Sequence, residues 1–234
     1  KKVPSEEIRL AILKLVYTHN QEIYKALTTE YQTLSANDAS QYQILLERYG
    51  ISPELIQSIR RKYGNKVVID SHLMVEDPYT YADVIAPYSD WYMFHYEAVK
   101  DPFRTLQMLR KKYPDLKIGL TFNLMTSFST LNDILANFKD YIDGVMFMGI
   151  SPGVLGTNSM PDIVEEKLRF VKEYFPWCKT FVDGSVNFTT LETYKDAGVH
   201  TVVCGTSTMY KGVGFGNDRT EKTIENINKI KELI

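Results

Sequence analysis

Two short stretches hold the groups most able to do chemistry: Asp70-Ser71-His72-Leu73-Met74-Val75, and far downstream Phe181-Val182-Asp183-Gly184-Ser185. In each, an apolar run (Val67-Val68-Ile69, then Thr180-Phe181-Val182) ends in a side chain that can bind a metal or move a proton. A charged group at the end of an apolar strand is costly to bury, so it is usually paired, bound to metal or used in a reaction. The C-terminal ends of strands in a chain of alternating strands and helices are where barrel and doubly wound folds place their chemistry.

The elements that must position these groups follow one pattern from residue 66 onward. Apolar runs alternate with amphipathic segments, as in a parallel sheet built from βαβ units. The expected strands are 67–70, 91–96, 117–122, 144–148, 180–182 and 199–204, and the expected helices 78–86, 102–112, 129–137, 161–175 and 189–197. Several helices open on Asp-Pro, Ser/Thr or Pro start signals. No Pro/Gly/Ser-rich linker interrupts the repeat, so one domain over residues 1–234 is expected. Eight such units close a TIM (β/α)8 barrel, and this part of the chain supplies about six of them. The first 65 residues are harder to read: 8–13 fits either a strand or a helix start, 53–63 reads as a helix ended by Gly64, and 32–42 is too polar for the strand a full barrel needs there. The second strand is therefore expected to be degenerate or rearranged.

Composition bounds the partners. The chain has 234 residues, is 44% hydrophobic and carries a formal charge of −2, which supports a sizeable core and offers no basic stripe for nucleic acid or an anionic membrane. No run approaches the roughly 20 apolar residues of a membrane span. The N-terminal residues lack the apolar segment of a signal peptide, and Cys178 and Cys204 are not spaced as a disulfide framework or a zinc site, so a soluble cytoplasmic protein is expected. Tyrosines on expected outer helices (Tyr24, Tyr31, Tyr49, Tyr63, Tyr79, Tyr81) could cover core or a homo-oligomer interface.

Six motifs in order carry a family resemblance: His72-Leu73-Met74-Val75 with Asp77-Pro78; Phe94-His95-Tyr96-Glu97-Ala98; Gly119-Leu120-x-x-Asn123; Met148-x-x-Ser151-Pro152-Gly153-x-x-Gly156; Val182-Asp183-Gly184-Ser185-x-Asn187; and Gly205-Thr206-Ser207. Together they resemble the ribulose-phosphate 3-epimerase family, and in wording most closely its allulose-6-phosphate 3-epimerase branch. The resemblance implies a (β/α)8 barrel that inverts the carbinol carbon beside the ketone of a sugar phosphate, with two aspartates on opposite faces of an enediolate. It also implies a divalent metal (zinc, manganese or iron), which would stabilise the enediolate charge as a Lewis acid.

By that resemblance His72 and Asp183 are metal ligands, with Asp183 also one of the two proton shuttles, and Asp70 could stand behind His72. His72 reads alternatively as a neutral core histidine, and Asp183 as a turn aspartate. Met74 and Met148 resemble methionines that lie over the enediolate and exclude water, although core packing is the plainer reading. Gly184-Ser185 and Gly205-Thr206-Ser207 follow the last two strands, where barrels bind phosphate through backbone N–H groups. The stretch containing Gly153 and Gly156 resembles the family's loop over the substrate. The chain departs from the pattern in the second strand, where the family's His-x-Asp falls on Asn37 and Ala39, with Asp38 between them facing the other way in a regular strand. His95 and Glu97, at i and i+2, could supply substitute ligands. The readings that follow are a metal-dependent 3-epimerase of a ketose phosphate, or a non-inverting sugar-phosphate-binding relative that has lost the second acid/base.

Overall fold

The computed structural model describes residues 53–152, 159–213 and 219–233, side chains of residues 54 and 55 excepted. The described strands are β1 (Asp70–Leu73), β2 (Trp91–His95), β3 (Lys117–Phe122), β4 (Gly144–Met148), β5 (Lys179–Asp183) and β6 (Thr201–Val202). The helices are α1 (Pro53–Tyr63), α2 (Pro78–Ile85), α3 (Pro102–Lys112), α4 (Phe128–Asn137), α5 (Pro161–Tyr174), α6 (Phe188–Asp196) and α7 (Arg219–Leu233). The strands lie side by side in chain order, and β2 through β6 pair in parallel. Strand and helix alternate along the described chain, the arrangement of a TIM (β/α)8 barrel. The chain divides into two units, Lys1–Asp70 with Asp83–Asp90 and Ser71–Ala82 with Trp91–Ile234.

Local chemistry sets the element ends. Asp101 accepts from Arg104 N–H and Pro102 occupies the first turn of α3, while Ser127 accepts from Thr130 N–H at the start of α4. Asn187 and Thr190 cap α6 reciprocally, each side chain taking the other's backbone N–H. Gly64 follows α1 at φ +57°, a left-handed turn that costs glycine little.

The inner face of the sheet reads from the register. Trp91 and Met93 of β2, Met146 of β4 and Phe181 of β5 form one buried cluster. Gly119 and Gly144 make room for it, since a Cβ on Gly144 would meet Lys179 O at 2.6 Å and the Trp91 ring at 3.1 Å.

A charged motif recurs at the N-terminal ends of the strands. In the second unit Arg110 of α3 donates to Asp143 Oδ2 at 2.8 Å, and the same oxygen accepts from Ile118 N–H at 2.9 Å. In the first unit Arg60 of α1, Asp90 and Ile69 N–H repeat it, at 2.5 and 2.7 Å. In both, the helix arginine is tied to the aspartate before the next strand, and that aspartate takes a backbone donor from the start of the earlier strand or from the residue just before it.

Strands 117–122 and 144–148 and helices 53–63 and 102–112 fall where the sequence places them. The strand expected at 67–70 instead starts at Asp70 and includes His72. Just before it, Ile69 N–H bonds to the Asp90 carboxylate and its carbonyl accepts from Asp90 N–H at 2.8 Å. The last expected strand, 199–204, contracts to Thr201–Val202, and β2 stops one residue early, at His95. The expectations for residues 1–52, including Asn37, Asp38 and Ala39, lie outside the described residues.

Candidate active site

The ends of four strands carry polar side chains in one hydrogen-bonded line. His72 Nδ1 lies 3.1 Å from Asp183 Oδ2, joining β1 to β5. His72 Nε2 lies 2.9 Å from His95 Nε2 at the end of β2, and the two rings stack with centroids 5.0 Å apart. His95 Nδ1 lies 3.1 Å from Asn123 Oδ1, just past β3. An amide oxygen only accepts, so with Asn123 Oδ1 facing it His95 would carry its proton on Nδ1 and turn the lone pair of Nε2 toward His72. In that arrangement His72 donates from Nε2 to His95, and its Nδ1 faces Asp183 Oδ2.

His95 is 5% exposed. Burial, and then the nearby His72, hold its pKa below the ordinary histidine value, while the Asn123 bond and the charges of Glu97 and Asp183 act in the opposite sense. Glu97 follows in a short turn, and its exposed carboxylate accepts from Asn123 N–H at 2.9 Å and from the Thr126 hydroxyl. A cavity of about 390 Å³ opens among Met74, Val75, Glu76, His95, Glu97 and Asn123, a size suited to a small metabolite.

The structure thus gathers His72, Asp183 and His95. Met148 is paired in register with Asp183 and fully buried, whereas Met74 borders the cavity and is 54% exposed. His95 and Glu97 border the same cavity, but β2 ends at His95, and Glu97 is turned to the Asn123–Thr126 segment. The partners of His72 in this line are Asp183 and His95, and Asp70 is exposed.

Gly184 and Ser185 adopt successive left-handed conformations, φ 92° and 53°, ahead of α6. Such a turn can aim consecutive N–H groups at an anion. Gly205 O accepts from Thr208 N–H and Tyr210 N–H, closing a turn on which Thr206 and Ser207 are exposed. Gly153 and Gly156 lie outside the described residues. Reasoning from sequence alone missed Lys167 of α5, which is buried and donates to the carbonyls of Leu124 and Asn123.

The described residues do not by themselves fit the metal that the resemblance implies. Both ring nitrogens of His72 already face protein partners, and among the described residues no group of three or more His, Cys, Asp or Glu could hold a metal ion. The resemblance places two of the family's ligands on Asn37 and Ala39, and alanine has no donor side chain.

A model of the ribulose-phosphate 3-epimerase family matches residues 38–209. The ribulose-phosphate 3-epimerase of Eremothecium gossypii is 28% identical over 167 residues, 67% of either chain. That of Schizosaccharomyces pombe is 26% identical over 162 residues, 68% of either chain. The Candida glabrata relative is 31% identical over 139 residues, 59% of this chain and 54% of its own. Among solved structures, 3-hexulose-6-phosphate synthase from Salmonella typhimurium superposes with a TM-score of 0.54 over 78% of this chain and 81% of its own, at 11% identity, a likeness of fold.

Proposed function

The chain belongs to the ribulose-phosphate 3-epimerase family, and from that membership we propose that it is a sugar-phosphate epimerase acting at C3 of a ketose phosphate, with Asp183 as one proton shuttle. The observation that carries this reading is the 3.1 Å contact between Asp183 and His72 at the ends of two strands within the matched region. A carboxylate there can take the C3 proton, which the neighbouring ketone acidifies, and His72 orients that carboxylate and shares the proton. Met148, buried beside Asp183, keeps water from that face of the enediolate. The Gly184-Ser185 and Gly205-Thr206-Ser207 turns follow adjacent strands and are the proposed phosphate cradle.

Inversion needs a second donor on the opposite face of the enediolate. Ala39 stands where the family has its second aspartate, and Asp38 is the adjacent acid. This substitution favours the second reading, a relative that binds the sugar phosphate and exchanges its proton from one face only. Ribulose 5-phosphate is the first substrate to test, because the relatives are named for it; the allulose 6-phosphate branch rests on motif wording alone.

The test follows each sugar by NMR with wild type and with Asp38→Asn. Appearance of the 3-epimer, slowed at least tenfold by Asp38→Asn, supports two-sided inversion with Asp38 as the second acid. No epimer of either sugar from the wild type overturns the epimerase reading.

A further inference from the structure

Among the described residues Lys167 is the one lysine buried from solvent, at 2% exposure. A buried ammonium is expensive, and a methionine, of nearly the same length, would fill most of the same space without that cost. Its donors are aimed at two successive carbonyls: Nζ donates to Leu124 O at 2.7 Å and to Asn123 O at 3.3 Å, while lying 5.9 Å from the centre of the Phe147 ring. From the other end, the Glu97 carboxylate takes Asn123 N–H and the Thr126 hydroxyl. Asn123 is thus gripped by an anion at its N–H and by a cation at its carbonyl, and its side-chain oxygen is the group that meets His95 Nδ1.

We infer that Lys167 is a positioning residue: with Glu97 it fixes the Asn123 backbone, and through the Asn123 amide it sets the orientation and the protonated nitrogen of His95, against which His72 and Asp183 are aligned. The geometry favours this over a packing role because the Lys167 and Glu97 bonds meet on the 123–126 segment, and each side chain reaches Asn123 itself. Charge-assisted bonds at both ends hold a peptide more firmly than neutral ones. The consequence reaches Asp183 through two further contacts of 2.9 and 3.1 Å.

The inference rests on the epimerase reading for its kinetic arm and is independent of it for its spectroscopic arm. The full chain, treated with EDTA and labelled with 15N at the histidine rings, is compared as wild type, Lys167→Met and Glu97→Gln. With four histidines in the chain, the His95 signals are assigned by a single His95→Asn substitution. In the wild type the His95 ring shows the proton on Nδ1. In Lys167→Met its two nitrogen signals move toward those of a ring exchanging between tautomers, kcat falls by about 10- to 100-fold and KM stays within about twofold. Glu97→Gln shifts the same signals in the same direction.

Unchanged His95 signals and unchanged kcat in Lys167→Met, with only a lower melting temperature, would show a packing lysine and overturn the inference. If Lys167→Met does not fold, unchanged His95 signals in Glu97→Gln overturn it instead. A wild type that inverts neither sugar while Lys167→Met still moves the His95 signals refutes the proposed reaction and supports the positioning role.

Discussion

Replacing Gly149 by alanine tests whether the close approach of β4 and β5 holds Asp183 where it can work. Gly149 N–H donates to Asp183 O at 2.7 Å, and a Cβ at position 149 would stand 2.3 Å from Gly184 O. Since Cβ atoms essentially never approach closer than 3.0 Å, the two backbones must part by about 0.7 Å. The atom met is a backbone oxygen, so no flexible side chain can swing aside. Overpacking of this kind costs about 1–3 kcal/mol, which lowers the melting temperature of a chain this long by roughly 2–12 °C. Carried along to the Asp183 carboxylate, the same displacement would lengthen the 3.1 Å contact with His72 to as much as about 3.8 Å, beyond hydrogen-bond distance. A misplacement of that order costs up to about a hundredfold in rate. Thermal melts and the rate of C3 epimerisation read the two effects separately. A variant that melts with the wild type and retains its full rate would refute the reasoning, because the strand ends would then have slack that the geometry denies them.

Three further outcomes are expected. Asp143→Ala leaves Ile118 N–H and the Arg110 guanidinium without their shared acceptor and should lower stability by about 1–3 kcal/mol with KM unchanged; an unaltered urea midpoint would contradict this. Cys178 is 7% exposed and burial pushes its thiol up to about 12, so it should resist a thiol reagent at pH 8 until the protein unfolds. The unfolded chain loses that proton near pH 9 while the folded protein keeps it, so this group's contribution to stability falls as pH rises from about 9 to 12; native Cys178 reacting at the rate of a free thiol would refute the burial argument. Equilibrium dialysis against zinc should retain less than one equivalent, since the resemblance places two of the metal ligands on Asn37 and Ala39, the second with no donor side chain; one equivalent retained by the wild type and lost in His72→Ala would contradict this.

Much of the fold was readable because strong local signals agree with the packing. The register at 117–122 and 144–148 follows apolar runs bounded by turn residues, and the start of 102–112 follows Asp101-Pro102. The misplaced first strand shows where such signals fail: Val67-Val68-Ile69 has strand composition, but β1 begins at Asp70, because a strand's bounds follow ladder partners that the composition of one segment does not reveal. Helix α7 has no counterpart in the sequence expectations, although Ile224, Ile227 and Ile230 recur every three residues.

At the site, residue type and strand-end position were enough to single out His72 and Asp183. The connection through His95 and Asn123 was not legible, because it depends on side-chain directions across three strands. Lys167 did leave a trace. It lies three residues after Val164 and four before Val171, inside the buried stripe of α5, and a lysine in an apolar stripe signals a buried partner.

The most direct test of the account is solvent exchange at C3 of D-ribulose 5-phosphate in D2O, followed by proton NMR with wild type and Asp183→Asn. The account predicts that the wild type replaces the C3 proton with deuterium and that Asp183→Asn does not. Exchange by Asp183→Asn at the wild-type rate, or no exchange by the wild type, would contradict it.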